Sequence, residues 1–438
     1  MLKRLAAAVL GGLLGVAAFL GVALFGGPSA LAGPPPAYFV DETKLAFDAL
    51  EGTTTTRLWG IHDRAGYRIE VPESWNGELV LYAHGFRGTG LELTVSNPRI
   101  REYLVTRGYA WAASSYSKNG YDVKQGVKDT HALGELFKEL VGEPRRTWIT
   151  GHSMGGHITG VAIEQYPRAY AGALPMCGVM GDNELFDYFL DFNLVAQALA
   201  GVPAPFPFPD DYLAAVVPDV QAALGPAYPA LLNPFGQMLA GVTQNISGGP
   251  RPGFAISFAV WGNFLFTVGT TGGDIGVAPG NVQDNLEAVY QIDSDPAMST
   301  EEIALNAAVL RVAMDPQGRH PEGLASIPPI TGKLPIPVLS LHTIGDLFVP
   351  FSMEQIYARR AAMQGASDRL VVRAIRDHGH CGFALPEEES AFADLVNWVE
   401  NGVKPAGDDI LDPANVADPN FGCAFSVPGH QGYAACTP

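Results

Sequence analysis

One short segment, Gly151-His152-Ser153-Met154-Gly155-Gly156, constrains this chain more than any other. It follows an apolar run, Thr147 to Thr150, and precedes a helix-like stretch, Ile158 to Tyr166. A serine between glycines where a strand turns sharply into a helix forms a nucleophile elbow, which holds the hydroxyl out at the top of a sheet. The glycines have a steric reason. In so tight a turn, side chains at Gly151 and Gly155 would collide with neighbouring backbone, and glycine also reaches backbone angles closed to other residues. The helix start behind the serine offers free N–H groups and the positive end of the helix dipole to developing negative charge. Gly-x-Ser-x-Gly also arises by chance in a chain with 51 glycines, so its weight rests on what surrounds it.

The surroundings alternate strand and helix. Short apolar, β-rich runs predict strands at Gly66 to Val71, Glu78 to Ala83, Tyr109 to Ser114, Arg146 to Thr150, Ala171 to Met176, Ile336 to Leu341 and Leu370 to Ile375. Helical patterns predict helices at Arg99 to Arg107, Asp129 to Val141, Met353 to Gln364 and Ser390 to Asn401. Such alternation implies right-handed crossovers and a mostly parallel central sheet flanked by helices, an α/β fold. Residues 181–332 interrupt it. Helices are expected there at Phe186 to Ala200, Asp211 to Leu224, Val282 to Tyr290 and Thr300 to Met314, with an apolar stretch, Phe254 to Val268, too short for a membrane span. So long an insertion is not a loop. It reads as a large, mainly helical lid inserted after the sixth strand. The organisation expected is residues 37–180 and 333–402 as the two parts of one core, 181–332 as the lid, and 403–438 as a Pro/Gly-rich tail.

Serine is a poor nucleophile at neutral pH and needs a histidine base, which needs an orienting carboxylate. In elbow enzymes these follow the serine in the order acid, then histidine. Asp346 lies just after the strand at Ile336, and His380 just after the last strand, in Asp377-His378-Gly379-His380-Cys381-Gly382-Phe383. Both project from the edge of the sheet where ligands of such sheets bind. His378 competes with His380 as base and is otherwise a solvated loop residue or a partner of the base. Asp377 competes with Asp346 as acid, but adjacency to His378 makes its geometry awkward. The turn His84-Gly85-Phe86 after the strand at Glu78 presents a backbone N–H toward the serine, so Phe86 and Met154 are the expected oxyanion donors. Tyr116, Phe348 and Phe383 flank these segments and are candidates for substrate contact.

Taken together, the elbow at Ser153, the His84-Gly85-Phe86 turn, the Asp346 segment and the His380 segment resemble the α/β-hydrolase superfamily. The resemblance covers about residues 65–180 and 333–402. It implies the α/β-hydrolase fold and a serine acyl-enzyme mechanism, with Ser153 attacking a carbonyl, His380 moving the proton and Asp346 holding His380. The chain is also similar to exported bacterial esterases in which a cysteine follows the histidine. The expected function is hydrolysis of small, medium-sized or polymeric apolar carboxylic esters. Two alternatives stand beside it: an amidase or peptidase on the same scaffold, and a catalytically silent binding protein.

Composition limits the partners. A net charge of −18 excludes a phosphate-backbone partner. Lys3 and Arg4, the apolar run Leu5 to Phe25 and the small residues Ala30-Leu31-Ala32 read as an export signal over residues 1–32, with an uncleaved membrane anchor as the alternative. The protein is therefore expected to be secreted or periplasmic, or else anchored with its catalytic part outside. The four cysteines, Cys177, Cys381, Cys423 and Cys436, fit two disulfides in an exported chain. Closeness in the tail favours Cys423 with Cys436, which leaves Cys177 with Cys381, out of three possible connectivities. No metal signature is present, and no cofactor is implied: Gly272-Gly273-Asp274-Ile275-Gly276 lacks the lysine of a phosphate loop.

Overall fold

Eight strands form one sheet: β1 (Thr55–His62), β2 (Ala65–Pro72), β3 (Glu78–Ala83), β4 (Ala110–Ser114), β5 (Arg146–His152), β6 (Gly172–Met176), β7 (Val338–Thr343) and β8 (Leu370–Ile375). The computed structural model describes residues 37–270, 281–316 and 327–437. The export segment and the Gly272 to Gly276 stretch lie outside them. Across the sheet the strands run in the order β1-β2-β4-β3-β5-β6-β7-β8. β1 pairs antiparallel with β2 and β2 with β4, and every other pairing is parallel. β3, β4, β6 and β7 are buried at every position, as expected of parallel strands covered on both faces.

Two helical layers supply that cover. Helices α1 (Arg101–Thr106) and α10 (Leu385–Asn401) pack Leu104, Val105, Phe392, Leu395 and Trp398 against one face. Helices α2 (Val123–Leu140), α3 (Met154–Gln165) and α9 (Ser352–Met363) cover the other. The insertion after β6, the sixth strand of the sheet, is mainly helical: α4 (Glu184–Ala200), α5 (Val217–Leu224), α6 (Pro234–Ile246), α7 (Phe254–Trp261) and α8 (Thr300–Ala308). Its apolar side chains, including Leu190, Leu239, Phe258 and Leu305, join the same core as α2 and α3.

One local expectation is corrected and two elements went unforeseen. β1 was not foreseen. It is an edge strand whose alternating residues are half exposed, and it is recruited by a tight Asp63-Arg64 hairpin with both residues at positive φ, 48° and 70°. Val282 to Tyr290 is not a helix. The Asn285 side chain holds the segment elsewhere, its Nδ2 donating to Leu310 O at 2.9 Å and its Oδ1 accepting from Val312 N–H at 2.6 Å, while its backbone N–H donates to Val312 O at 3.0 Å. Helix α6 was missed, although Asn233 caps it and Pro234 opens it, an arrangement favoured at helix starts.

The elbow is sterically closed. A Cβ at Gly155 would lie 2.0 Å from Ala83 O, and one at Gly151 would lie 2.2 Å from Gly155 O. Both contacts are with backbone: Ala83 ends the β3–β5 ladder and Gly155 lies in the first turn of α3, so neither can give way without disturbing a hydrogen-bonded element. Replacing Gly155 by alanine is therefore expected to cost about 3 kcal/mol, read as a lowered midpoint in urea unfolding. An unchanged midpoint would contradict this packing.

Candidate active site

Ser153 sits between β5 and α3 at φ 58° and ψ −121°. This is a strained conformation for a residue with a side chain, of the kind held only where surrounding structure over-determines it. The restraint is visible: Ser153 N–H donates to Met176 O at 3.0 Å, and Ser153 O accepts from Gly156 N–H at 2.8 Å. The hydroxyl is thereby aimed at His380, whose Nε2 lies 2.8 Å from Ser153 Oγ. His380 Nδ1 lies 2.6 Å from Asp346 Oδ2. Asp346 is fully buried, and its Oδ1 accepts from the N–H groups of Phe348 and Val349 at 2.9 and 3.0 Å. The three groups named from sequence form a continuous relay in which Nδ1–H donates to the carboxylate and Nε2 is free to accept the serine proton.

The loops bearing acid and base are pinned to one another. Gly345 N–H donates to Asp377 O at 2.9 Å, and Thr343 Oγ1 donates to Gly379 O at 2.9 Å. Asp377 is spent on structure: Oδ1 accepts from Gly379 N–H at 2.6 Å and Oδ2 pairs with His430 Nδ1 at 2.8 Å. His378 is not a solvated loop residue. Its Nδ1 meets Ser257 Oγ at 2.8 Å, its carbonyl accepts from Trp261 Nε1 at 2.7 Å, and its ring stacks on Tyr433 at 4.4 Å. Burial pushes its pKa down to about 4. Both disulfides favoured from sequence are present, Cys177–Cys381 beside the base and Cys423–Cys436 in the tail.

Close approach also marks the oxyanion turn. A Cβ on Gly85 would lie 3.1 Å from Ser153 Cβ, so the backbone entering Phe86 runs directly against the serine. Met154 opens α3. His84 fixes the turn from behind: it stacks on Tyr116 at 4.1 Å, its Nδ1 lies 2.7 Å from Gly85 O, and burial lowers its pKa to about 3.

The three aromatic residues read as substrate contacts separate here. Phe348 lies beside the triad, its ring 5.1 Å from that of His380. Tyr116 is buried and uses its hydroxyl on His84 O at 3.0 Å, so it supports the oxyanion turn. Phe383 belongs to the core under α10. Sequence reasoning missed Phe189, which stacks on Phe348 at 5.9 Å and 13°. It also left Arg99 unassigned, although Arg99 donates to Cys381 O at 3.1 Å and Phe383 O at 2.7 Å and so ties down the far side of the histidine loop. Glu388, buried and 2.7 Å from Arg99, anchors that guanidinium. A glutamate in a helical pattern gives no sign of such a role.

Known proteins resemble this chain over part or most of its length. The family model described as the prolyl oligopeptidase family matches residues 95–212, the segment that contains the elbow. The chain is 23% identical over 410 aligned positions to an o-phthalyl amidase of Xanthobacter agilis, a match spanning 80% of this chain and 89% of that protein. Among solved structures it is similar to feruloyl esterase B from Aspergillus oryzae (15% identity, TM-score 0.42, 81% of this chain and 83% of the other). It is also similar to a tannin acyl hydrolase from Aspergillus niger (14% identity, TM-score 0.41, 82% and 77%). The strand order, the elbow and the matched family segment make this chain a member of the α/β-hydrolase superfamily and a serine hydrolase.

Two outcomes are expected. Asp346→Asn keeps the backbone contacts of the loop but favours the wrong histidine tautomer, and should lower kcat about 10⁴-fold with the unfolding midpoint little changed. The second concerns the tail. His430 bridges Asp377 and Glu387 at 2.8 Å each. Burial opposes its charge, but the hydrogen bonds to these two carboxylates outweigh burial and raise its pKa. A raised folded-state pKa contributes stability that is fully present below the unfolded value of about 6.5 and is lost as pH rises through the folded value. Urea midpoints across this window should fall with pH in the wild type, and His430→Gln should abolish that component.

Proposed function

We propose that this serine hydrolase is exported and cleaves carboxylic esters of aromatic or other apolar acids through an acyl-enzyme. The relay from Ser153 through His380 to Asp346, walled by aromatic rings at the base, is the observation that carries this reading. Phe348 contacts Phe264 edge-on at 5.0 Å and lies 6.3 Å from Trp261 at 25°, so the insertion contributes apolar surface next to the reacting atoms. Such surface favours an apolar acyl group by burial. The two disulfides, one of them beside the base, support an oxidising compartment.

In the reaction Ser153 Oγ attacks the carbonyl carbon as its proton passes to His380 Nε2. The carbonyl oxygen becomes an oxyanion that accepts from the N–H groups of Phe86, in the turn after β3, and Met154, at the start of α3, where the helix dipole adds to them. Asp346 stabilises the imidazolium through Nδ1–H. His380 then gives the proton to the leaving alkoxide, the C–O bond breaks, and an ester of Ser153 remains. Water repeats the sequence: it loses a proton to His380, adds to the acyl carbon, and Ser153 leaves with that proton.

An amide is the second reading, favoured by the relative named o-phthalyl amidase. The same groups would serve, with the added demand that His380 protonate a nitrogen as it departs. The test pairs two substrates with one acyl group, 4-nitrophenyl benzoate and benzoyl 4-nitroanilide, against wild type and Ser153→Ala. The ester is expected to be turned over with the higher kcat/KM, and the variant to lose at least ~10⁴-fold. The reverse ranking would install the amide reading. Failure of the wild type on both, with no reaction of Ser153 toward a fluorophosphonate, would leave the silent binding protein.

A further inference from the structure

We propose that Arg251, supplied by the insertion, is a positioning residue of the triad: it ties the acid-bearing loop to the insertion and brings a buried positive charge to that loop. The proposal rests on the serine-hydrolase reading of Ser153, His380 and Asp346.

Arg251 precedes α7 and is 6% exposed. Its Nε donates to Ile344 O at 2.6 Å, one guanidinium nitrogen to Gly249 O at 2.8 Å and the other to Ser247 Oγ at 3.0 Å. All three acceptors are neutral. Burying a guanidinium against neutral oxygens is costly unless a negative charge acts on it from nearby. Burial draws its pKa down to about 10, and the acidic groups that act against this are Tyr188, Tyr433 and Asp346. At neutral pH tyrosines are uncharged, and Asp346 is the carboxylate carried by the loop to which Arg251 is bonded. The hydrogen bond to Ile344 falls two residues before Asp346, in the turn that carries it.

The surrounding contacts make this a built junction. Ser352 N–H donates to Ser247 O at 3.0 Å, Gln355 Nε2 to Gly248 O at 3.1 Å, and Tyr188 of α4 to Leu347 O at 2.9 Å. Residues on both sides of Asp346 are thus bonded to the insertion, and Arg251 is the charged member of that junction.

A fixed cation here has a definite sign of effect. A positive charge bonded into the acid loop makes a second positive charge beside it less favourable. His380 must be unprotonated at Nε2 to accept the serine proton, so Arg251 extends reactivity toward acid pH. Other titratable or charged groups also face the triad. His152 and Glu388, with Arg99, lie behind the elbow; His342 and Glu354 lie behind the acid. Asp377 and His378 share the base's own loop, where His430 and Tyr433 of the tail meet them. Substitution at Arg251 leaves all of these in place.

The experiment follows the rate at which a fluorophosphonate inactivates the full-length protein as a function of pH. Arg251→Met is expected to move the acid limb upward by about 1 pH unit, about tenfold slower inactivation well below the midpoint. Arg251→Lys keeps the charge and should leave the limb within about 0.2 unit of wild type while lowering the plateau rate. An unmoved limb in a folded Arg251→Met variant would overturn the proposal, as would a limb moved equally in both variants. Should the methionine variant fail to fold, Arg251→Gln takes its place; failure of all three to fold would assign Arg251 to folding and overturn its role at the triad. A wild type inert toward the probe would count against the serine-hydrolase reading instead.

Discussion

The 2.8 Å contact between His380 and Ser153 joins residues 227 positions apart, and almost every other notable feature of this molecule serves to hold its two ends still. At the serine end, the chain makes a turn with no room for a Cβ at Gly151 or Gly155 and holds Ser153 at a positive φ. At the histidine end, the loop after β8 is restrained from four directions. Thr343 and Gly345 hold it from the acid side, Arg99 from under α1, Cys177 through a disulfide, and Ser257 and Trp261 from the insertion. Ordering a loop costs conformational entropy for every residue fixed. These contacts meet that cost during folding, so the base is already in place when substrate arrives.

The insertion and the tail both brace the loops that carry the acid and the base. Helix α7 faces the active site with Ser257 and Trp261, and the segment before it reaches the acid loop through Arg251. The tail returns across the same loop. It stacks Tyr433 on His378, sets His430 between Asp377 and Glu387, and closes its own end with Cys423–Cys436. Two segments that lie outside the sheet and its helices thus converge on the short peptide from Asp377 to Cys381.

Legibility in the sequence followed the range of the forces involved. The parallel strands could be read because burial on both faces leaves continuous apolar runs, as in Leu79 to Ala83. The elbow, Asp346 and His380 could be read because steric demand and chemistry restrict residue types tightly at those points. β1 could not, because an edge strand carries little apolar signal. The turn at Val282 to Tyr290 could not, because its shape is set by Asn285 bonding to backbone 25 residues away. The aromatic candidates for substrate contact could not be told apart. Phe348, Tyr116 and Phe383 are equivalent as aromatic neighbours of motifs, and only packing separates Phe348 beside His380 from Tyr116 behind the oxyanion turn and Phe383 in the core under α10. Arg251 and Arg99 look like ordinary surface arginines until the fold buries or pairs them.

The central claim is that Ser153 carries the acyl group during turnover. Rapid acid quenching of the protein mixed with 4-nitrophenyl benzoate, followed by peptide mass spectrometry, tests it most directly. The account predicts a benzoyl ester on the peptide containing Ser153, absent in Asp346→Asn quenched at the same time. Turnover of the ester with no acylated peptide under conditions that trap it, or acylation of a different residue, would contradict it.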